Sequence, residues 1–234
     1  MAAIISKRAK QFGSIYDRSK QYTLKEAIAI LKKAPKVKFD ETVEMAANLN
    51  IDSKQTSQAV RGTVSLPHGT GKSVSVAAFC KGEEQRKAKE AGADYIGAED
   101  LIAKVQGGWC EFDVAIATPD MMKDLAKLGK ILGPRGLMPS PKAGTVTTDM
   151  AKSVKELKAG RIEFKMDKQS GIHAPVGKLS FSDEALYENS RTLIEAMIEA
   201  DHEGQKGQHI KKIYISSTMG PGIKLDLTEF RKET

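Results

Sequence analysis

Alternating apolar and polar positions mark both ends of the chain. From Val43 to Ile51 every second residue is apolar, and most of the residues between them are polar. This pattern predicts a strand with one buried face and one solvated face. A helix near 55–60 and a strand through Val64 are expected next. From about Gly160 the alternation returns in "RIEFKM", "GKLSF", "KKIYISS" and "GIKLDL".

Two helices are predicted beside these strands. Thr23 precedes Glu26 by three residues, which is a capping box, and apolar residues at helical spacing follow until Pro35. A long helix is expected to start at Asp183 and Glu184, with apolar residues again at helical spacing.

The middle of the chain has a different pattern. Short, continuously apolar runs at 74–80 and 112–117 are separated by charged stretches at 83–92 and 98–108 that favour helices. Pro119 is placed to open a further helix. Buried parallel strands that alternate with helices produce this pattern, so the middle is predicted to be a small α/β domain.

The two ends are too small to be stable separately. We therefore predict that 1–67 and 160–234 fold together as one discontinuous domain, with 68–159 inserted between them. The two crossings between the domains, near 67–71 and 159–160, are expected to act as a hinge.

Composition and charge restrict the classes of function that the sequence is compatible with. The chain of 234 residues is 40% apolar and 29% charged, which is typical of a soluble globular protein, and its apolar runs are too short to span a membrane. Two cysteines without a CxxC motif suit the reducing cytoplasm. The net charge is +7, and residues 1–66 hold 12 Lys and Arg against 6 Asp and Glu. This excess favours a polyanionic partner.

Two glycine-rich motifs are candidate nucleotide or nucleic-acid sites. "HGTGKS" at 68–73 lacks the first glycine of a P-loop and precedes an expected strand, so a crossing between domains is favoured. Gly133-Pro134-Arg135-Gly136 is similar to the GXXG loop of KH domains. Pro134 removes a backbone donor, which favours a rigid loop, with Arg135 and Lys142 kept as candidate nucleic-acid contacts.

No catalytic or metal-binding constellation is apparent. The histidines have no ligand spacing, and no Ser/His/Asp order or carboxylate pair stands out; they are His68, His173, His202 and His209. This absence lowers the enzyme hypothesis without excluding it, because an active site can be assembled from distant residues. We predict that the protein is not an enzyme and has no cofactor or metal.

Three segments in the outer pieces are candidate contacts. Phe39, between charged residues, is either a core aromatic or a platform on which a base stacks. The polar stretch 166–178 is either a plain hairpin loop or a polar contact surface. The turn at 217–222 carries a methionine at its tip and is stiffened by Gly-Pro-Gly, which suits contacts with folded RNA.

Four segments together resemble the bacterial form of the L-one family of ribosomal proteins: "KFDETVEMAANLNID", "LGKILGPRGLMPSPKAGTV", "SGIHAPVGKLSF" and "STMGPGIKLD". The resemblance covers nearly the whole chain. It implies an α+β two-domain fold, with a discontinuous antiparallel α+β domain from both chain ends and an inserted Rossmann-like α/β domain of three layers.

The same resemblance implies a function. The two-ended domain would bind large-subunit (23S) rRNA and form the mobile side stalk of the ribosome. The stalk would assist release of deacylated tRNA from the exit site, and the RNA-binding surface would repress translation by binding the leader of the protein's own mRNA. The protein would be cytoplasmic and ribosome-associated, with no membrane partner, and a monomer when free of the ribosome.

The family's RNA-contacting positions match these residues of this chain: Lys36, Lys38, Phe39, Thr42, Glu44, Asp167, Lys168, Ser170, Gly171, His173, Lys178, Ser216, Thr218, Met219, Gly220 and Pro221. Two alternatives stay open from the residues alone. One is a KH-like nucleic-acid binder that uses Arg135. The other is a small-molecule enzyme with its site between the domains.

Overall fold

A computed structural model describes residues 7–35, 37–50, 60–202 and 210–230. The helices are α1 (Lys7–Ile15), α2 (Leu24–Lys33), α3 (Glu83–Glu90), α4 (Glu99–Gln106), α5 (Met122–Leu125), α6 (Gly129–Leu132), α7 (Met150–Ala159) and α8 (Asp183–His202). The strands are β1 (Thr42–Leu49), β2 (Arg61–Ser65), β3 (Val76–Phe79), β4 (Tyr95–Gly97), β5 (Val114–Ala117), β6 (Arg161–Lys165), β7 (Gly171–Lys178), β8 (Ile210–Ser217) and β9 (Ile223–Lys224).

The chain divides into two compact units. The first unit comprises Met1–Gly71 and Ile162–Thr234, and the second comprises Lys72–Arg161. The boundaries expected from the sequence, after residues 67 and 159, lie a few positions before these.

The first unit is built on a four-stranded sheet of order β7-β1-β8-β9, in which neighbouring strands are antiparallel. The inward residues of β1 are buried and the residues between them are partly or fully exposed, as the alternation predicts. α2 and α8 cover the inner face, with Leu31, Ile194 and Ile213 in one core. The sheet therefore keeps its other face open to solvent.

The helix signals in the first unit are confirmed. Thr23 Oγ1 accepts from the Glu26 amide at 3.4 Å, and Glu26 Oε2 accepts from the Thr23 amide at 3.0 Å. α2 ends before Pro35, and α8 begins at Asp183. β2 contains Val64, whereas the helix predicted over 55–60 lies outside the described residues except for its last position.

Two expectations for the first unit were wrong. The stretch 171–178, expected as part of a polar connection, is strand β7, in which Ile172, Ala174 and Val176 are buried. β7 lies at the edge of the sheet, where a proline such as Pro175 is tolerated. The strand expected over 222–227 is only two residues long.

β9 pairs with β8 on one side, where the Leu225 amide still donates to the Ile213 carbonyl at 3.0 Å, and the segment also pairs with a distant residue. The Tyr22 amide donates to the Lys224 carbonyl at 3.0 Å, and the Asp226 amide donates to the Tyr22 carbonyl at 2.9 Å. This pairing attaches the segment between α1 and α2 to the C-terminal strands.

The second unit contains a parallel sheet of order β4-β3-β5. Alternate residues of the sheet belong to two separate cores. Phe79 packs with residues such as Leu101 and Leu125, whereas Ile116 packs with residues such as Val154. The predicted α/β pattern is confirmed, with helices on both faces of the sheet.

The glycine-rich motifs adopt the conformations that the sequence favoured. No helix follows 68–73; the next element is strand β3. Gly133 to Gly136 form a turn closed by a hydrogen bond of 3.0 Å between the Gly136 amide and the Gly133 carbonyl. Pro141 begins a single 3₁₀ turn rather than the second helix of a KH motif.

Candidate nucleic-acid interface

The start of β1 and the turn after β8 are joined by hydrogen bonds. The Thr42 amide donates to Thr218 Oγ1 at 3.0 Å, and the Thr218 amide donates to the Thr42 carbonyl at 3.0 Å. Thr218 thus extends the β1–β8 pairing by one residue beyond β8. Residues 176 positions apart in the chain form one continuous backbone surface.

A buried carboxylate supports this junction from below. Glu41 is only 2% exposed. Its Oε2 accepts from Ser217 Oγ at 2.6 Å and from the Met219 amide at 2.9 Å, while its Oε1 lies 3.4 Å from Nη2 of Arg8. Because the charged Glu41 carboxylate accepts two hydrogen bonds from the same turn, it restricts the conformation of that turn.

Two large apolar side chains near this junction are exposed to solvent. Phe39 is 53% exposed and Met219 is 52% exposed, and they are the large hydrophobic residues found exposed in the described part of the chain. The Gly220 amide closes the turn onto the Ser217 carbonyl at 2.9 Å, and a Cβ at Gly220 would collide with Ser217 Oγ. The turn therefore holds Met219 out in solvent and requires glycine after it.

A lysine from β7 completes this end of the sheet. Lys178 Nζ donates to Thr42 Oγ1 at 2.9 Å, opposite Thr42 in the strand register. Further along the open face, Glu44 lies opposite Ser216, and Ala46 lies between His173 and Tyr214. We call the residues at this end the tip cluster: Lys38, Phe39, Thr42, Lys178, Thr218, Met219, Gly220 and Pro221.

The loop before β7 forms a second group at the other end of β1. The Gln169 and Gly171 amides each donate to Asp167 Oδ1 at 2.7 Å, and Lys168 is exposed. The hydrogen bond from the Gly171 amide is the main reason that the pKa of Asp167 lies below its ordinary value, with further contributions from Gln169 and the nearby His173. We call Asp167, Lys168, Ser170 and Gly171 the loop cluster.

The predicted contacts therefore form two groups rather than one. Gly171 pairs with Asn48, whereas Lys178 pairs with Thr42. Six residues of strand separate Thr42 from Asn48, which is about 20 Å at the usual rise per residue. Phe39 lies three residues before Thr42, and Met219 lies one residue after Thr218, so both are near one end of β1. Asp167 and Lys168 are at the other end, with Glu44, Ser216 and His173 between them.

One predicted contact is buried and one cannot be placed. Ser170 is only 7% exposed, has a positive φ of 61°, and its carbonyl accepts from the Leu49 amide at 2.8 Å. Its position supports a role in shaping the loop, while Lys168 beside it is open to solvent. Lys36 lies outside the described residues.

Sequence reasoning did not select Glu41, although a signal was available. Glu41 is two residues before Val43, so it continues the inward set of β1 positions, and a carboxylate there needs a buried partner. The partners are supplied by Arg8 and by the turn after β8, which the pattern along β1 does not reveal.

Metal-binding groups and membrane-spanning helices are both absent from the described residues. These residues contain no group of three or more His, Cys, Asp or Glu side chains that could hold a metal ion. Across these same ranges, helices with the length and hydropathy of a membrane span are also absent.

Comparison with known proteins places the chain in a family. Residues 31–221 match the model of the ribosomal protein L1p/L10e family. The chain is 54% identical over 224 residues to "Large ribosomal subunit protein uL1" of Protochlamydia amoebophila (strain UWE25), covering 96% of this chain and 95% of the relative. It is 53% identical over 221 residues to the protein of the same description from Kosmotoga olearia, covering 94% and 96%. The chain therefore belongs to the ribosomal protein L1p/L10e family.

Proposed function

We propose that this protein is a structural constituent of the large ribosomal subunit and binds large-subunit rRNA through its first unit. The observation that carries the proposal is the tip cluster, in which Glu41 holds exposed Met219 in its turn and exposed Phe39 lies two residues before Glu41. The family is one of ribosomal proteins, which are structural rather than enzymatic. This function places the protein in the cytoplasm, on the ribosome.

Exposed apolar side chains are costly unless a partner covers them. Phe39 offers a ring face for stacking on an unpaired base, and Met219 offers a flexible apolar tip that packs on an irregular surface. Thr218 and the backbone around Gly220 supply polar contacts to sugar and phosphate oxygens. These contacts depend on the shape of the folded RNA, so they provide specificity.

Lysines at both clusters provide the charge-dependent part of binding. Lys38 and Lys168 are exposed, and each would displace counterions from an RNA phosphate. Because the two clusters lie about 20 Å apart along β1, we propose that both contact one RNA across the open face of the sheet.

The finer roles belong to the same proposal. The RNA complex would form the mobile side stalk, and the stalk would assist release of deacylated tRNA from the exit site. The surface that binds rRNA would also bind the leader of the protein's own mRNA and repress its translation. The free protein would be a monomer.

The main test is a binding titration with an rRNA transcript. Met219→Ala should weaken specific binding by about 1–3 kcal/mol and leave the salt dependence unchanged, because the methionine carries no charge. Met122→Ala, which removes a partly buried methionine of the second unit, is the control for loss of a methionine side chain away from the tip cluster. Tight binding by Met219→Ala would show that the tip cluster is not a principal contact.

A second variant separates this proposal from the KH-like alternative. Arg135→Gln removes the exposed arginine of the glycine-rich loop in the second unit. It should leave rRNA affinity unchanged, whereas a KH-like binder would lose affinity.

The finer roles need separate assays. Expression of a reporter that carries the protein's own mRNA leader should fall when the parent protein is supplied and recover with Met219→Ala. Dissociation of labelled exit-site tRNA should be slower on ribosomes that lack the protein.

A further inference from the structure

A groove lies beside the tip cluster, on the side of the N-terminal helix. It has a volume of about 1160 Å³ and is bounded by α1, by the segment from Tyr16 to Tyr22, and by the turn from Met219 to Pro221. It thus shares the turn with the proposed RNA surface, while its other lining residues lie outside the tip cluster and the loop cluster.

The charges along this groove are mainly positive. Arg8, Arg18 and Lys20 line it, against the single carboxylate of Asp17. Asp17 is already engaged, because its Oδ1 accepts from the Ser19 amide at 2.9 Å and from Ser19 Oγ at 2.7 Å. Arg8 balances Glu41, whereas Arg18 and Lys20 form no ion pair with any residue that the structure describes.

The segment that carries Arg18 and Lys20 has a defined position. Its end is paired with the C-terminal strands through Tyr22. The Tyr22 hydroxyl also accepts from the Asp17 amide at 2.8 Å, and Arg18 Nε donates to the Tyr16 hydroxyl at 3.3 Å. The basic side chains are therefore held beside Met219 rather than on a loose arm.

We propose that this groove binds the phosphate backbone of the same RNA that the tip cluster contacts. Guanidinium and ammonium groups bind phosphate oxygens, and a groove continuous with the turn at Met219 suits the nucleotides next to those that the turn touches. Arg18 and Lys20 are the phosphate ligands, whereas the charge of Arg8 is balanced by Glu41. The inference rests on the proposed function and extends the RNA footprint to the N-terminal helix.

Gly13 allows the groove to be altered without disturbing the core. It lies on α1 and lines the groove, and a Cβ built on it meets no atom within 4 Å. Gly13→Glu would place a negative charge in the groove, and Gly13→Gln would place a neutral side chain of the same size there. Comparing the two isolates the effect of charge from the effect of volume.

The experiment measures the affinity of the full chain for a large-subunit rRNA transcript between 0.1 and 0.5 M salt (approximately, the range in which phosphate contacts dominate the salt dependence). Arg18→Gln with Lys20→Gln should reduce the slope of log affinity against log salt by about 1.4–1.8, since each phosphate contact contributes about 0.7 to 0.9. Lys123→Gln with Lys130→Gln, two exposed lysines of the second unit, should leave the slope unchanged. Gly13→Glu should bind about fivefold more weakly than Gly13→Gln at low salt.

An unchanged slope in the Arg18 and Lys20 double variant would overturn the inference, as would equal affinities for the two Gly13 variants. Neither result would affect the proposed function, which is tested by the preference of the unmutated protein for large-subunit rRNA. If the parent failed to prefer the large-subunit transcript over a small-subunit transcript, the proposed function would fail instead.

Discussion

Replacing Glu41 with glutamine tests whether the buried carboxylate sets the shape of the RNA-contacting turn. The carboxylate accepts from Ser217 Oγ, from the Met219 amide and, at 3.4 Å, from Arg8. Glu41→Gln preserves the size of the side chain but converts one acceptor oxygen into a donor. The amide oxygen can serve the turn only if its NH₂ group then faces the guanidinium of Arg8.

The cost follows from these contacts. Two charge-assisted hydrogen bonds to the turn become neutral ones, which loses about 1 kcal/mol each. The ion pair with Arg8 is lost as well, but the side chain of Arg8 is 26% exposed and water replaces part of the interaction, so about 0–1 kcal/mol is added. We therefore expect Glu41→Gln to lower the free energy of local opening of the turn by about 2–3 kcal/mol.

Amide hydrogen exchange, followed by mass spectrometry, measures this opening directly. Peptides that cover 212–224 should exchange about 30- to 150-fold faster in Glu41→Gln, because each 1.4 kcal/mol corresponds to about a factor of ten. Peptides of the second unit serve as an internal reference.

Glu44→Gln is the matched control for this measurement. Glu44 lies three residues further along, in β1, but is exposed, so its substitution should change stability by no more than about 0.5 kcal/mol. Equal exchange rates in Glu41→Gln and Glu44→Gln would refute the idea that the buried carboxylate holds the turn.

Three further outcomes are expected. A hydrogen bond from Lys72 is the main reason that the pKa of Asp113 falls from 3.8 to about 2. The ionised carboxylate of Asp113 therefore stabilises the fold above pH 3.8, and this stabilisation is lost as the pH falls towards 2. Asp113→Asn should flatten that part of the acid-unfolding curve, which the fluorescence of the single tryptophan reports. Gly62→Ala would put a Cβ 2.6 Å from a buried phenylalanine ring and should destabilise the protein by about 1–3 kcal/mol, whereas Gly13→Ala, in open space on α1, should stabilise it by about 0.5–1 kcal/mol; thermal melting measures both. Lys38→Ala should lower the salt slope of RNA binding by about 0.7–0.9 in a filter-binding titration, and an unchanged slope would show that Lys38 touches no phosphate.

Local patterns predicted the elements whose signals lie within one stretch of chain. The alternation along β1 gives its buried face directly, because successive side chains of a strand point to opposite sides. The capping box of α2 is equally local, since Thr23 and Glu26 satisfy each other's backbone amides. In the second unit, continuous apolar runs predicted β3 and β5 because both faces of their sheet are covered.

Elements that depend on distant partners were not predicted. Glycine, histidine and proline made 171–178 resemble a loop, and only its edge position beside β1 explains why it is a strand. β9 is followed by residues that pair with Tyr22, about 200 positions earlier in the chain. Neither partner can be identified from the spacing of residues in one segment.

The candidate site was predicted residue by residue, but its layout was not. Resemblance supplied Phe39, Met219 and Lys168, yet only the strand register shows that Lys168 lies at the far end of β1 from the other two. The groove beside α1 also depends on pairing between the two ends of the chain, so no single motif marks it.

The central position of β1 has a consequence for synthesis of the protein. Both neighbours of β1 come from the C-terminal part of the chain, and roughly 170 residues separate Leu49 from the end of β8. At about 5–20 residues per second, the nascent β1 waits about 10–30 s for its partners. The second unit is contiguous and can fold during that delay. The apolar side of the waiting strand is therefore the part of the nascent chain that most needs shielding from aggregation.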